Sequence, residues 1–255
     1  VPAGELERFP KDLERLVAIG IHMVKLRITF RAGMPEHLLE QGIDQFVSLQ
    51  QKLAENGCIG AVHEPEFLKG NDRGLRENAD VMVKVLGGIW RRFQEQGLEH
   101  HGFILKTSFP TPGNASKECI EPQICADECF DITERAELPE ELPIRFLSGG
   151  HSVSVSRFLL QAVVTHRRAL GRNLSSSFSR VNLEAPYRRM FSYVHPNIPE
   201  GQQALLKEGL LNTVAMQGKY HPTFEADTVR YPQLLEQVRG DGTNDGTHAP
   251  QSQPS

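Results

Sequence analysis

Five short apolar runs rich in β-forming residues recur along the chain: His22 to Phe30 (HMVKLRITF), Cys58 to Glu64 (CIGAVHE), Gly102 to Phe109 (GFILKTSF), Pro143 to Leu147 (PIRFL) and Leu174 to Phe178 (LSSSF). Their starts lie about 30 to 45 residues apart. Between them, apolar residues return at helical spacing over Pro35 to Asn56, over Asn78 to Gln96 (Val81, Val83, Val85, Leu86, Trp90) and over Val153 to Leu170. This alternation predicts β/α units of a parallel sheet. The serine-rich fifth run has the poorest β propensity and reads equally as a loop. A further helix is expected over Gly201 to Gln217, where Leu205, Leu206, Leu210, Leu211 and Val214 build a stripe. From about Gly240 the sequence GDGTNDGTHAPQSQPS cannot bury a core, and disorder is expected there.

Two parallel architectures fit such a pattern, an open doubly wound sheet and a closed eight-stranded barrel. A nucleotide-binding open sheet carries GxGxxG or GxxxxGK[ST] after its first strand, and this sequence has neither; its nearest glycine pair, Gly149-Gly150, follows the fourth strand. The expected fold class is therefore α/β of the TIM (β/α)8 barrel family, present as an incomplete barrel of about five βα units plus a C-terminal helix and a disordered tail. The expected division is 1–222 as barrel portion and 223–255 as a divergent tail.

Composition narrows the partners. The 255 residues include 28 basic and 32 acidic side chains, so no basic excess points to nucleic acid. No apolar run approaches the roughly 20 residues of a membrane helix. Small molecules and proteins remain. The four cysteines are too sparse for a disulfide framework, which favours a reducing, cytoplasmic setting. Cys119, Cys125 and Cys129, with five and three residues between them, match no common zinc spacing, although Cys125 and Cys129 could share a helix face. No metal or other cofactor is expected. The chain opens on Val1-Pro2 with no charged and apolar leader pattern, so it supplies no targeting signal to read.

Barrel enzymes carry their chemistry at the C-terminal ends of strands, and polar residues fall near each expected strand end. The first strand presents Lys25 and Arg27 on one face, at i and i+2. The second ends in Glu64-Pro65-Glu66, two carboxylates on a segment that proline keeps extended, able to serve as acid, base and counterion. Lys106 interrupts an apolar third strand. Burial and a second cation nearby are expected to lower its pKa, giving an amine that attacks carbonyl carbon; the alternative is a lysine that snorkels to the surface. The fourth strand runs into Ser148-Gly149-Gly150, which can meet an anion with backbone N–H groups. The fifth is expected to end at Arg180, a clamp for the same anion. Each segment alone also reads as an ordinary turn or solvated end. Together they suit imine chemistry on a phosphorylated sugar.

The strings that carry these residues are MVKLR around Lys25, AVHEPE around Glu64, ILKTSFPTPG around Lys106, FLSGGHS around Ser148, SSFSR ending at Arg180, and VAMQGKY ending at Tyr220. In order and spacing the sequence resembles the class I, Schiff-base fructose-1,6-bisphosphate aldolase family. The resemblance implies reversible cleavage of fructose 1,6-bisphosphate to dihydroxyacetone phosphate and glyceraldehyde 3-phosphate, without metal, in a homo-oligomer that is usually a tetramer. It implies an imine on Lys106, proton exchange by Glu64, and Lys25 and Glu66 as the surrounding charge network. Ser148, Gly149, Ser177, Ser179 and Arg180 would hold the ketose C1 phosphate, with Arg27 near the other phosphate or the C4 hydroxyl.

The sequence departs from that family at Ser179, where a glycine is usual, at Leu26 for a tryptophan, at His151 for a glutamine, and in a tail lacking the terminal tyrosine. Val1-Pro2 aligns just after the family's third barrel strand, so an aspartate and a phosphate-binding lysine of the earlier strands have no counterpart, and neither Asp44 nor Asp127 falls at an expected strand end. With its first strand an open edge, the chain alone is expected to be unstable or aggregation-prone and poorly active. The rival expectation is a truncated, non-catalytic aldolase-like protein that binds sugar phosphate or a subunit. A third is an imine-forming aldolase for a related phosphorylated ketose.

Overall fold

The computed structural model describes residues 3–226 apart from 22, 59–61, 99–102 and 192–195, with side chains from residue 11 onward. Helix α1 (Ala3–Ala18) leads into β1 (Lys25–Phe30), α2 (Glu36–Glu55), β2 (Val62–Phe67), α3 (Leu75–Glu95), β3 (Ile104–Ser108), α4 (Pro122–Arg135), β4 (Ile144–Leu147), α5 (Val153–Val164), β5 (Leu174–Ser176), α6 (Arg180–Met190) and α7 (Ile198–Met216). Short 3-10 turns at Arg167–Ala169 and Pro222–Glu225 follow α5 and α7. All described strand pairs are parallel, and their order is β1-β2-β3-β4-β5. That unbroken order excludes the doubly wound alternative, whose strand order reverses at a switch point. It is the order of successive barrel units.

Register decides which side chains share a face. Arg27 pairs with Glu64 and Thr29 with Glu66 across β1 and β2, while Lys106 pairs with Arg145 and Ser108 with Leu147 across β3 and β4. Side chains alternate along a strand, so the charged positions line the inner face and Leu26, Phe30, Phe67, Leu105 and Phe146 point to the helices. Each of these five is buried. Helices α2 and α3 close that outer face with Leu39, Ile43, Phe46, Met82, Val85 and Phe93, each large side chain contributing about 1.5–3 kcal/mol on full burial. Gly42 permits the approach of α2: a Cβ there would lie 2.7 Å from the Phe30 ring.

Proline inside a central strand normally breaks the ladder, and Pro65 does so here. Pairing between β2 and β3 covers only Val62 with Ile104 and His63 with Leu105. Beyond it Ser108 substitutes for the missing ladder: its Oγ accepts from Phe67 N–H at 3.2 Å and donates to Phe67 O at 3.3 Å. The second strand therefore runs on to Phe67 rather than stopping at Glu64, and Glu64 and Glu66 sit within it. Cys58 lies outside it, its N–H bonded to Leu53 O at the end of α2.

The fifth strand is shorter than expected. It ends at Ser176, one further bond joins Ser177 N–H to Phe146 O at 2.8 Å, and buried Phe178 turns toward Phe109. Arg180 is thus the first residue of α6 and not the end of a strand. The region after Val164 is a 3-10 turn rather than a continuation of α5 to Leu170. Helices α1, α4 and α6 were not evident in the sequence pattern. His22, Gly102 and the tail from Gly240 fall outside the described residues.

Candidate active site

The ten sequence-selected residues, Lys25, Arg27, Glu64, Glu66, Lys106, Ser148, Gly149, Ser177, Ser179 and Arg180, all line one cleft of about 420 Å³. Its centre is Glu64, only 4% exposed. Lys25 Nζ lies 2.9 Å and Lys106 Nζ 3.3 Å from the same Glu64 oxygen, and Arg27 Nε is 3.7 Å from the other. Arg27 is committed mainly to Glu66, whose Oε2 accepts from Arg27 Nε at 2.8 Å and also from Nη2. Glu66 therefore serves the arginine.

Burial alone would raise the Glu64 carboxyl pKa, but the charges of Lys25 and Lys106 outweigh it and hold the group below the ordinary carboxylate range. At neutral pH Glu64 is ionised. Lys106 is mostly enclosed, with 12% of its side chain exposed, whereas Lys25 and Arg27 are nearly half exposed. An amine in contact with both a carboxylate and open space can lose a proton to one and meet a carbonyl from the other.

The far end of the cleft is lined by the turn after β4 and the start of α6. After β4 the chain makes a tight turn in which His151 N–H donates to Ser148 O at 3.0 Å, and Gly149 and Gly150 adopt φ of 60° and 87°. Only glycine takes that left-handed backbone at little cost. Helix α5 starts directly after it, capped by Ser152, which accepts from Val155 N–H at 3.3 Å. Ser179, at φ −95°, occupies ordinary right-handed backbone, so serine carries no conformational penalty in place of glycine there. Arg180 is exposed at the same end and has no ion-pair partner among the described residues.

Gly150, read in the sequence as part of the anion-binding turn, and His151, noted there only as a departure, also face the cleft, as does Glu184, which sequence reasoning missed. Burial, together with the charge of Lys69, pushes His151 down to about 4, so its ring is neutral at pH 7; Nε2 lies 3.1 Å from Thr111 Oγ1. Arg145 shares the inner face by register, but its guanidinium turns away to bond Asn173 O and Oδ1, each at 2.9 Å. Among the described residues no three His, Cys, Asp or Glu side chains converge as metal ligands would, and no helix is long and apolar enough to cross a membrane. Cys125 and Cys129 share the buried face of α4, and Cys119 is exposed.

A family model for class-I fructose-bisphosphate aldolase matches residues 14–237. Among curated proteins, fructose-bisphosphate aldolase 1, chloroplastic, of Pisum sativum is 27% identical over 189 residues, covering 74% of this chain and 51% of that protein. The non-muscle aldolase of Lethenteron camtschaticum is 31% identical over 169 residues, 66% of this chain and 46% of that protein. Fructose-bisphosphate aldolase C of Homo sapiens is 28% identical over 203 residues, 78% and 54% respectively. The chain thus spans about half the length of the curated relatives it matches. A solved structure of the Plasmodium falciparum fructose-bisphosphate aldolase, in complex with TRAP and a small-molecule inhibitor, superimposes with a TM-score of 0.73 at 20% identity, covering 85% of this chain and 63% of that one. At that identity the likeness establishes the α/β barrel fold.

Proposed function

The chain belongs to the class-I fructose-bisphosphate aldolase family, and from that premise we propose that its cleft forms a Schiff base on Lys106 and reversibly cleaves fructose 1,6-bisphosphate to dihydroxyacetone phosphate and glyceraldehyde 3-phosphate. One observation carries the reading: Lys106 and Lys25 converge on one buried carboxylate, Glu64, in a cleft whose other end combines a double-glycine turn with Arg180, an arginine that has no ion-pair partner among the described residues.

Lys106, on giving its proton to Glu64 at 3.3 Å, attacks the C2 carbonyl; Glu64 returns the proton to the carbinolamine hydroxyl, which leaves as water. The resulting iminium accepts the electron pair released when C3–C4 breaks, as the C4 hydroxyl gives its proton to water in the open cleft and becomes the aldehyde. The enamine then takes a proton at C3, and water hydrolyses the imine to free the ketone and Lys106. Lys25, 2.9 Å from the same oxygen, keeps Glu64 ionised between these steps, and Glu66 orients Arg27. Ser148, Gly149, Ser177, Ser179 and Arg180 hold the C1 phosphate, and Arg27 lies toward the rest of the substrate. No step uses a metal or another cofactor. On this reading residues 1–222 are the aldolase-like barrel portion and 223–255 a divergent C-terminal tail. Homo-oligomerisation, as a tetramer, and a cytoplasmic setting accompany this reading.

A second reading is favoured by the cleft's carboxylates. No aspartate lines it among the described residues; Glu64 and Glu66 are held by the lysines and Arg27, and Glu184 pairs with Arg188 at 2.5 Å. A protein so equipped binds a sugar phosphate without breaking carbon–carbon bonds. Borohydride trapping with fructose 1,6-bisphosphate, beside a turnover assay, separates the two. Wild type should trap substrate on Lys106 and Lys106→Ala should trap none; trapping without turnover supports binding alone, and labelling that survives Lys106→Ala removes Lys106 from the chemistry.

A further inference from the structure

The loop after β2 buries a second lysine behind the cleft. Lys69 is 4% exposed, and its carbonyl is pinned by the N–H groups of Asn71 and Asn114, each at 2.8 Å. Its Nζ has no hydrogen-bond partner among the described residues. An ammonium in such a place lacks both water and counter-charge, and burial brings its pKa down to about 8.

The titratable groups that interact with it come from two elements. From α4 comes Cys125, whose thiol burial pushes up to about 11, and from the turn between β4 and α5 comes His151, at about 4. Both are neutral at pH 7, so neither balances the amine. His151 faces the cleft directly after the Ser148-Gly149-Gly150 turn and meets Thr111 at 3.1 Å, and three residues further along that loop Asn114 N–H holds the Lys69 carbonyl at 2.8 Å, so one short segment joins the buried lysine to the turn. A doubly negative group seated on that turn would provide the counter-charge that the described residues do not.

We propose that buried Lys69, whose Nζ meets no hydrogen-bond partner among the described residues, is the remote counter-charge of the anion-binding turn, so that seating a dianion at Ser148-Gly149-Gly150 is linked to uptake of a proton by Lys69. The inference rests on the reading of that turn as a phosphate site. It adds to the cleft a buried acceptor that senses occupancy and makes affinity fall as pH rises above about 8. The lysine does not touch the bound group; it acts as a positioning charge.

Sulfate tests this, because it is a dianion with no proton to exchange near neutrality. The 255-residue chain is titrated with sulfate by calorimetry at pH 8.5 in two buffers of different ionisation enthalpy. Wild type should take up about half a proton or more per sulfate. Lys69→Met, which replaces an unsatisfied amine by an apolar chain of similar length, should take up none and bind of order tenfold more weakly at pH 7, converging with wild type by pH 10. His151→Gln should keep the uptake, and Arg180→Ala should weaken sulfate binding and so locate it. Sulfate binding to wild type with no proton linkage overturns the proposal and leaves the anion site standing, as does linkage that survives Lys69→Met. No sulfate binding to wild type removes both. The wild-type comparison between buffers needs no variant, so misfolding of Lys69→Met cannot shield the idea.

Discussion

Two clusters of buried charge stand in different parts of this chain, and only the one around Glu64 lines the cleft. Arg157 on α5 is completely buried. Its guanidinium bonds Glu208 and Asn212 of α7 and reaches Glu225 of the following 3-10 turn at 2.5 Å, with the Tyr220 ring 6.0 Å away. Tyr220 adds a hydrogen bond to the same Glu225 oxygen at 2.6 Å. One fully buried cation faces two carboxylates that are themselves only partly exposed, 12% at Glu208 and 26% at Glu225, and none of the three lines the cleft. Around Glu64 the proportions reverse: Lys25, Arg27 and Lys106 against Glu64 and Glu66 leave one positive charge over, with nearby Arg180 as a further cation. That excess lies against an open cleft. Burial and charge are common to both clusters, so neither marks a site by itself. The distinguishing property is an uncompensated charge with room beside it.

The comparison breaks most sharply through Glu64→Gln. The amide keeps the shape and loses the proton acceptor, so turnover, or the rate of imine trapping where turnover is absent, should fall roughly 10²–10⁴-fold. Unfolding free energy should move by only about 1 kcal/mol, because Lys25 and Arg27 retain contact with water. A fall in stability as large as the fall in rate would place Glu64 with the structural cluster. Arg157→Met asks the reverse. It removes the buried partner of Glu208 and Glu225, and urea denaturation should show a loss of about 3–5 kcal/mol, while imine yield per folded molecule stays at the wild-type level. A selective loss of imine formation would tie the Arg157 cluster to the chemistry.

The site was more legible in the sequence than its supports. Lys25 with Arg27, Glu64 with Glu66, and Lys106 stand out because a charged residue at alternate positions of an apolar strand has few explanations, and the strings around them carry a family resemblance. Pro65 misled the reading of β2, since its loss of a ladder bond is repaired by Ser108, a residue forty-odd positions away whose help no local pattern announces. Arg180 was placed on a strand because nothing in LSSSFSR marks where β5 gives way to α6. Helix α6 itself escaped because it is polar and carries Pro186 in its interior, and α4 because its buried face is built from cysteines as much as from aliphatics. Lys69 was invisible for a plainer reason: between Leu68 and Gly70 it reads as a solvated loop lysine. Its burial depends on segments distant in sequence, among them the loop carrying Asn114, which meets it only in the folded chain.

The two clusters should also answer pH in opposite directions, the smallest and most diagnostic of these effects. Burial raises Glu64, but the lysines bring it net below its ordinary value, so its stabilisation is present above the unfolded pKa and is lost as pH falls through the folded one. At Glu208 burial dominates the charge of Arg157, and Glu225 adds repulsion, so the carboxyl lies above its ordinary value. A raised carboxyl binds its proton more tightly when folded; its contribution is most favourable below the unfolded pKa and declines as pH rises through the folded one. Stability curves of wild type, Glu64→Gln and Glu208→Gln between pH 3 and pH 8 test the signs. The advantage of wild type over Glu64→Gln should shrink toward acid pH, while its standing relative to Glu208→Gln should improve. Parallel slopes for the two variants would mean that the cleft cluster and the Arg157 cluster treat their central carboxylates alike, and the distinction between them would have to rest on access to the cleft alone.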